Sequence, residues 1–212
     1  AFEPVGSSVY HAGSVELNRH VTAGLWLKTN YTFSKTLDNA TNEVFSSIVN
    51  PRRPQDPHDL RNEWGLSALH KPHKFTVAWV YDIPARAAGN PFVHALASGW
   101  QFNGAFIAES GQPTTVLSGF DANGDFDVAG DRAILNPNGV GLTGTGVDYV
   151  VRNTAGITSV SSVNPGDRFV VGYVAQNPSA RFITAAEGTR STVGRNTVST
   201  PGINRPEVAV IA

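Results

Sequence analysis

Two stretches between residues 73 and 110 alternate large apolar side chains with small or polar ones. The apolar positions are Phe75, Val77, Trp79, Tyr81 and Ile83 in the first stretch, and Trp100, Phe102, Gly104, Phe106 and Ala108 in the second. Successive side chains of a β-strand point to opposite faces of the sheet, so apolar residues at every second position indicate strands. The sequence therefore predicts two strands here, each with one apolar face.

The same pattern occurs earlier in the chain. Residues 9 to 21 and residues 25 to 34 alternate in this way around a short connection, which predicts a hairpin. The apolar faces carry aromatic residues near the strand ends, whereas the opposite faces are mixed, small or polar over about ten residues, as in a lipid-facing barrel wall. We therefore predict an all-β fold of antiparallel strands joined by long loops.

The connections between these strands differ greatly in length. Residues 35 to 70 break the alternation and hold several prolines, and a loop this long usually signals function or the outer rim of a barrel. We predict that residues 1 to 118 contain the wall strands with this one outer loop. Residues 119 to 212 are predicted to be a loop-rich region with short strands in the same domain. It has a strand at 169 to 175 and at most short strands after residue 176.

Composition excludes several classes of protein. A formal net charge of −1 argues against nucleic acid as a partner, because nucleic-acid binding needs a basic surplus on one surface. The absence of cysteine excludes disulfides, thiolate metal sites and cysteine nucleophiles. The chain contains no run of about eighteen apolar residues, so the sequence does not predict a membrane-spanning helix. Because the chain also lacks methionine, even at position 1, we expect it to be a processed product or an excised piece.

Five segments, in collinear order, resemble the later barrel region of TonB-dependent outer-membrane receptors. The likeness is greatest to the Oar-like branch, whose members carry an N-terminal carboxypeptidase-regulatory-like domain. The segments are YHAGSVELNRHVTAGLWLKTNYTFSKTLDNA, DLRNEWGLSALHKPHKFTVAWVYDIP, GWQFNGAFIAESGQPTTV, DANGDFDVAGDRA and GRNTVSTPGIN. The resemblance implies a segment of a transmembrane β-barrel of about 22 strands in the outer membrane of a Gram-negative bacterium. It also implies uptake of a bulky ligand with energy transmitted through TonB.

Four strands in an open wall would leave two edges with unsatisfied backbone groups, which lipid cannot accommodate. The expected partners are therefore outer-membrane lipid and the rest of a parent barrel. An alternative is a secreted or cell-surface structural protein that self-associates through its strand edges into filaments. A soluble β-sandwich that serves as a binding module is also compatible with the alternation.

The long loop between residues 35 and 70 holds the residues that we predict to contact a ligand. They are Arg52, Arg53, Arg61 and Trp64. The two adjacent arginines could contact an anion or could be a solvated pair. The tryptophan lies in a polar loop rather than on an apolar strand face, which favours a contact role.

A second candidate site is an acidic loop that could bind calcium. Its possible ligands are Asp121, Asn123, Asp125, Asp127 and Asp131. Oxygen ligands at alternate positions around a glycine are typical of calcium loops, and the spacing resembles the first half of an EF-hand loop. No glutamate stands at the twelfth position and no helix is predicted beside it. The other interpretation is a polar loop rich in turn-forming residues.

The sequence offers no pattern that predicts catalysis. It lacks the G-x-S-x-G turn of serine hydrolases, and no spacing selects a pair of carboxylates for glycoside chemistry. His70 and His73 are three residues apart with Pro72 between them, which does not suit a zinc pair on a helix. We therefore expect that the chain is not an enzyme and that calcium is its only candidate cofactor.

Overall fold

The structure is a computed structural model that describes residues 6–21, 24–39, 54–56, 59–84, 92, 99–126, 128, 130–163, 166 and 169–211. These residues form strands and loops, with one short 3-10 helix at Leu60–Glu63. Among them, no helix has both the length and the apolar character needed to cross a membrane. The strands are β1 (Ser8–Val21), β2 (Leu25–Asp38), β3 (Gly65–Leu66), β4 (His73–Asp82), β5 (Gln101–Glu109), β6 (Pro113–Thr114), β7 (Ile134–Leu135), β8 (Val140–Thr145), β9 (Val147–Arg152), β10 (Thr158–Ser161), β11 (Val170–Ala175), β12 (Ala180–Ile183), β13 (Val198–Ser199) and β14 (Ile203–Ile211).

The chain divides into two compact units. The wall unit comprises Val9–Leu37, Leu69–Gln112 and Ser199–Ala212. The loop unit comprises Ala1–Ser8, Asp38–Ala68 and Pro113–Val198. Both units are built from segments that are distant in sequence, so each requires contacts between remote parts of the chain.

The wall unit is an antiparallel sheet in which five long strands follow one another in the order β1, β2, β4, β5, β14. Its register places Leu27 opposite Trp79, Trp79 opposite Gly104, and Gly104 opposite Val208. The alternating apolar positions of neighbouring strands therefore lie on one face. With nine or ten residues each, β4, β5 and β14 have the length that a tilted strand needs to cross a bilayer. The prediction of an all-β antiparallel fold is confirmed.

Aromatic rings cover the apolar face of the wall. The rings of Phe75 and Phe106 lie 6.4 Å apart between centroids, and those of Trp79 and Phe102 lie 6.1 Å apart. Both distances are in the range of favourable tilted aromatic pairs. All four side chains remain partly exposed, because no described element of the wall unit packs over them.

The opposite face of the wall carries hydrogen-bonded polar side chains. Lys28 Nζ lies 3.2 Å from Glu16 Oε1, and Asn30 Nδ2 donates to Ser14 Oγ at 3.0 Å. A sheet with one apolar and one polar face is typical of a barrel wall between lipid and a water-filled interior. Among the described strands, β1 and β14 form the two edges, so the wall is open.

Residues 176 to 212 contain a long strand where the sequence predicted loop with at most short strands. This prediction was wrong, because β14 runs for nine residues and pairs with the whole of β5. Pro206 argued against a strand in the sequence, because proline lacks the N–H group that a central strand needs. Among the described strands, β14 has β5 as its one neighbour, so the missing N–H group of Pro206 need not break a hydrogen bond to a second strand there.

The loop unit contains two three-stranded sheets with the orders β10-β9-β11 and β7-β12-β8. β12 runs antiparallel to β7 and parallel to β8. Four short strands, β7 to β10, lie between residues 119 and 168, in the region predicted to be loop-rich with short strands. A small apolar core of Ala133, Phe182 and Val193 lies beside many buried polar residues. Polar contacts therefore hold much of this unit together.

Candidate ligand-binding and cation-binding site

Two buried ion pairs hold the loop unit around the 3-10 helix Leu60–Glu63. Glu63 pairs with Arg132, and each of these residues is 2% exposed. Arg195 pairs with Asp38 and also donates from Nε to the Glu63 carbonyl at 3.1 Å. A buried charge is stable only when it is paired and hydrogen-bonded. These contacts therefore fix the position of the short helix.

Asn196 joins three separate segments of the same unit. It is 1% exposed and adopts a positive φ of 56°. Its Nδ2 donates to the Leu66 carbonyl at 2.7 Å, and its backbone N–H donates to Thr115 Oγ1 at 3.0 Å. Because asparagine tolerates the left-handed conformation better than most residues, the turn at residues 195 and 196 is compatible with these contacts.

An open cleft of about 830 Å³ lies in the loop unit. One side is formed by Asn123, Gly124 and Asp125, and another by residues 187 to 194. Arg190 NH2 lies 3.2 Å from Asp56 Oδ2, and both residues line the cleft. The volume is in the range of about 300 to 1,000 Å³ that is usual for small-molecule sites.

In the acidic loop, residues 121 to 131, the described residues 121–126 fold around the carboxylate of Asp121. Asp121 Oδ1 accepts hydrogen bonds from the backbone N–H groups of Gly124 at 2.7 Å and Asp125 at 3.2 Å. Its Oδ2 accepts one from Phe126 at 2.9 Å. Gly124 and Phe126 both have positive φ angles, of 74° and 66°. The loop thus curls tightly enough to turn several oxygen atoms toward one point.

Asp131 lies in this loop with its carboxylate buried. It is 1% exposed, and neither carboxylate oxygen has a hydrogen-bond partner among the described residues. One carboxylate oxygen from each of Asp121, Asp125 and Asp131 lies within 4.8 Å of the other two. The loop therefore brings together three of the five predicted calcium ligands.

Burial raises the pKa of the Asp131 carboxyl group, and the neighbouring carboxylates of Asp121 and Asp125 act in the same direction. The backbone N–H groups of Ala122 and Asn123 act the other way, although neither reaches hydrogen-bonding geometry. Desolvation disfavours the charged form of an acid and a nearby negative charge does the same. The described residues therefore stabilise the ionised form of Asp131 poorly.

The other residues that were predicted as ligand-binding or calcium-binding residues are not members of this group of three carboxylates. Arg52, Arg53 and Asp127 lie outside the described residues. Asn123 belongs to the acidic loop, where its Oδ1 accepts a hydrogen bond from the Asp125 N–H at 2.9 Å.

Arg61 and Trp64 lie in and just after the 3-10 helix Leu60–Glu63. The Arg61 side chain is 95% exposed and lies 3.4 Å from Asp59 Oδ1, and Trp64 is 44% exposed. Neither residue lines the cleft, although Asn62 between them does. Their contact role stays a prediction.

The sequence did not reveal the ion pairs that support this site. Glu63 and Arg132 are separated by 69 residues, and Arg195 and Asp38 by 157. Charged residues in polar loops are usually solvated, so nothing in the local pattern distinguished these four. The one available signal was that all four residues fall within the collinear segments of the resemblance.

A comparison with protein families supports the interpretation of the wall unit as part of an outer-membrane β-barrel. The family model described as "Outer membrane beta barrel domain" matches residues 1–211. No curated protein and no solved structure matched the chain. The match covers both the wall unit and the loop unit, and the two-faced antiparallel wall is the structure that such a domain needs. The chain therefore belongs to the outer-membrane β-barrel domain family.

Proposed function

We propose that this chain supplies wall strands and outer loops to a TonB-dependent receptor of the Oar-like branch in a Gram-negative outer membrane. In this proposal the wall unit contacts lipid and the remaining strands of the parent barrel. The loop unit binds the ligand that the receptor takes up. The role is binding and transport without chemical conversion, so no catalytic residue is assigned.

The cleft of the loop unit is the observation that carries the ligand-binding part of the proposal. A binding site needs side chains that are held in place before the ligand arrives. Arg132 and Asn62 line the cleft, and Arg132 is fixed to the 3-10 helix that contains Asn62 by its buried pair with Glu63 and its hydrogen bond to the Asn62 carbonyl. The five collinear segments, together with the family match, support the receptor part.

The TonB part is tested with the full-length parent protein in detergent and the purified periplasmic domain of TonB from the same organism. We expect saturable binding in surface plasmon resonance. Complete absence of binding at high micromolar TonB would contradict the TonB-dependent assignment, while the barrel assignment would stand.

The ligand is found by comparing cells that lack the parent gene with complemented cells. Mass spectrometry of the medium follows the loss of peptides, oligosaccharides and chelated iron, and the compound whose loss requires the gene is the ligand. We expect Arg190→Ala, in the cleft, to slow its uptake. Arg181→Ala removes the same charge outside the cleft and should have no effect. Equal uptake by the two variants would contradict the cleft as the binding site.

The filament and sandwich alternatives receive less support. A soluble sandwich would cover the aromatic face with a second layer, whereas no described element of the wall unit does so. A protein that is monodisperse in plain buffer would nevertheless favour the sandwich, and long polymers under negative stain would favour self-assembly.

A further inference from the structure

The acidic loop holds three carboxylates close together, and one of them is buried. Oxygens of Asp121, Asp125 and Asp131 lie within 4.8 Å of one another, and Asp131 is 1% exposed. Like charges at this separation repel strongly, and water cannot screen the buried one. A cation between the three carboxylates would offset their mutual repulsion and would neutralise the buried charge of Asp131.

Among the described residues, no side chain supplies that cation. Neither oxygen of Asp131 has a hydrogen-bond or ion-pair partner in the part of the chain that the structure describes. Arg132, its neighbour in sequence, turns away to pair with Glu63 and to donate to the Asn62 carbonyl at 3.5 Å. The basic group closest in sequence is thus committed elsewhere.

Loop geometry orients the Asp121 carboxylate and restrains the backbone at Asp125. Three backbone N–H groups hold the Asp121 carboxylate in one orientation, and Asn123 accepts from the Asp125 N–H. In a loop of the EF-hand type that begins at Asp121, the twelfth position would hold a bidentate glutamate. That position is Arg132 here, and the preceding residue, Asp131, provides the buried carboxylate instead.

The donor set selects the kind of ion. All three side chains offer oxygen, which suits hard cations and does not suit zinc or copper. Calcium forms bonds of about 2.4 Å, so two ligands on opposite sides of it lie about 4.8 Å apart. Magnesium, with bonds of about 2.1 Å and a strict octahedral geometry, fits this spacing less well. We propose that Asp121, Asp125 and Asp131 bind a calcium ion and that this ion fixes the acidic loop.

The site has a structural consequence for the loop unit. Asn123, Gly124 and Asp125 belong to the acidic loop and also form one side of the cleft. A bound ion would order this side of the cleft by linking the exposed Asp125 to the buried Asp131. The proposal stands independently of TonB and of the identity of any transported ligand.

The direct test is a calorimetric titration of the full chain in detergent with calcium chloride alone. The calcium concentration is raised to about ten times the millimolar dissociation constant that is typical of extracellular calcium modules. We expect heat for one ion per chain, and at least tenfold weaker binding of magnesium. Asp131→Asn keeps the shape of the side chain and should weaken calcium binding by at least tenfold. Glu187→Gln is the matched control, because it removes a charge from the same cleft outside the cluster. It should leave calcium binding unchanged.

A second measurement covers the outcome in which Asp131→Asn alters folding. Thermal unfolding is followed for the original chain and the variant, each in calcium and in EDTA. We expect calcium to raise the melting temperature of the original chain but not of the variant. In EDTA, the variant should melt no lower than the original chain, because it lacks the unpaired buried charge. Absence of heat with calcium, or an equal calcium effect in both proteins, would overturn the proposal.

Discussion

The indole ring of Trp79 on β4 lies over the backbone of Gly104 on β5. A Cβ atom added at Gly104 would come within 2.5 Å of Trp79 Cζ2 and 2.7 Å of the Glu207 carbonyl oxygen. The ring thus occupies the space that a side chain would otherwise fill, as aromatic residues do beside glycines in other sheets. Gly104 therefore leaves room for the Trp79 ring against the backbone of β5.

Substituting this glycine should destabilise the wall. We expect Gly104→Ala to lower the free energy of unfolding by about 1 to 3 kcal/mol, because overpacking forces the ring or the backbone to shift. Urea unfolding of the reconstituted protein measures the effect. Gly13→Ala on β1 is the control, since an added Cβ there has no neighbour within 4 Å. Equal effects at the two glycines would show that the ring does not need this space.

The ion pair of Glu63 with Arg132 should be far more important than an exposed pair in the same segment. Glu63→Gln leaves Arg132 buried without a counter-ion, so we expect a loss of about 3 to 5 kcal/mol of stability. Arg61→Ala, which removes the exposed pair with Asp59, should change stability by less than about 1 kcal/mol. Chemical denaturation of both variants tests this. Glu63→Gln combined with Arg132→Met should recover much of the loss, and a further loss in that double variant would contradict the argument.

His70 should make the wall unit less stable in mild acid. Burial lowers the pKa of His70, and the charge of Lys35 lowers it further, below the usual 6.5. Its Nδ1 accepts a hydrogen bond from the Thr36 N–H at 3.2 Å, which protonation would abolish. Because the folded protein holds the neutral form, the unfolded chain binds more protons. Stability is therefore present above pH 6.5 and is lost as the pH falls toward the lowered value.

Unfolding experiments between pH 7.5 and pH 5 measure this loss against a His70→Gln variant. The variant should be less stable at pH 7.5 but should lose less stability as the pH falls. Parallel pH profiles for the two proteins would mean that His70 does not titrate in this way.

Calcium should stabilise the chain more at neutral pH than in acid. Without metal, the raised pKa of Asp131 means that its ionisation costs stability as the pH rises through the folded-state value. Calcium binds the ionised carboxylates, so protons compete with it at low pH. A hundredfold excess of calcium over its dissociation constant should add about 2.7 kcal/mol at neutral pH. The difference in melting temperature between calcium and EDTA should shrink from pH 7.5 to pH 4.5, and a constant difference would contradict the site.

The wall strands could be predicted from sequence because successive residues of a strand lie alternately on an apolar and a polar face of the sheet, which makes apolar and polar residues alternate. Phe75 and Val77 lie on the apolar face, whereas Thr76 between them lies on the polar face. β14 could not be predicted in the same way, because Pro206 interrupts its pattern and proline is uncommon inside strands. The strand is recognised from its pairing with β5, which the sequence of residues 203 to 211 does not reveal.

The loop unit was less predictable because its interior is polar. Glu63 and Arg132 are buried together, yet each taken alone has the sequence character of a solvated residue. The acidic loop was predicted from the alternate spacing of Asp121, Asn123, Asp125 and Asp127, with Asp131 four residues further on. The burial of Asp131 depends on packing within the loop unit, which the spacing does not encode.

The central claim is that the apolar face of the wall contacts lipid. The chain has no cysteine, so a single cysteine can be introduced at Val77 on this face or at Thr76 on the other, and labelled with a fluorophore. In vesicles that contain the full-length protein, the label on Val77→Cys should be quenched by spin-labelled lipid, and the label on Thr76→Cys by aqueous iodide. If the label at position 77 is quenched by iodide, or by neither agent, the apolar face does not contact lipid and the account is wrong.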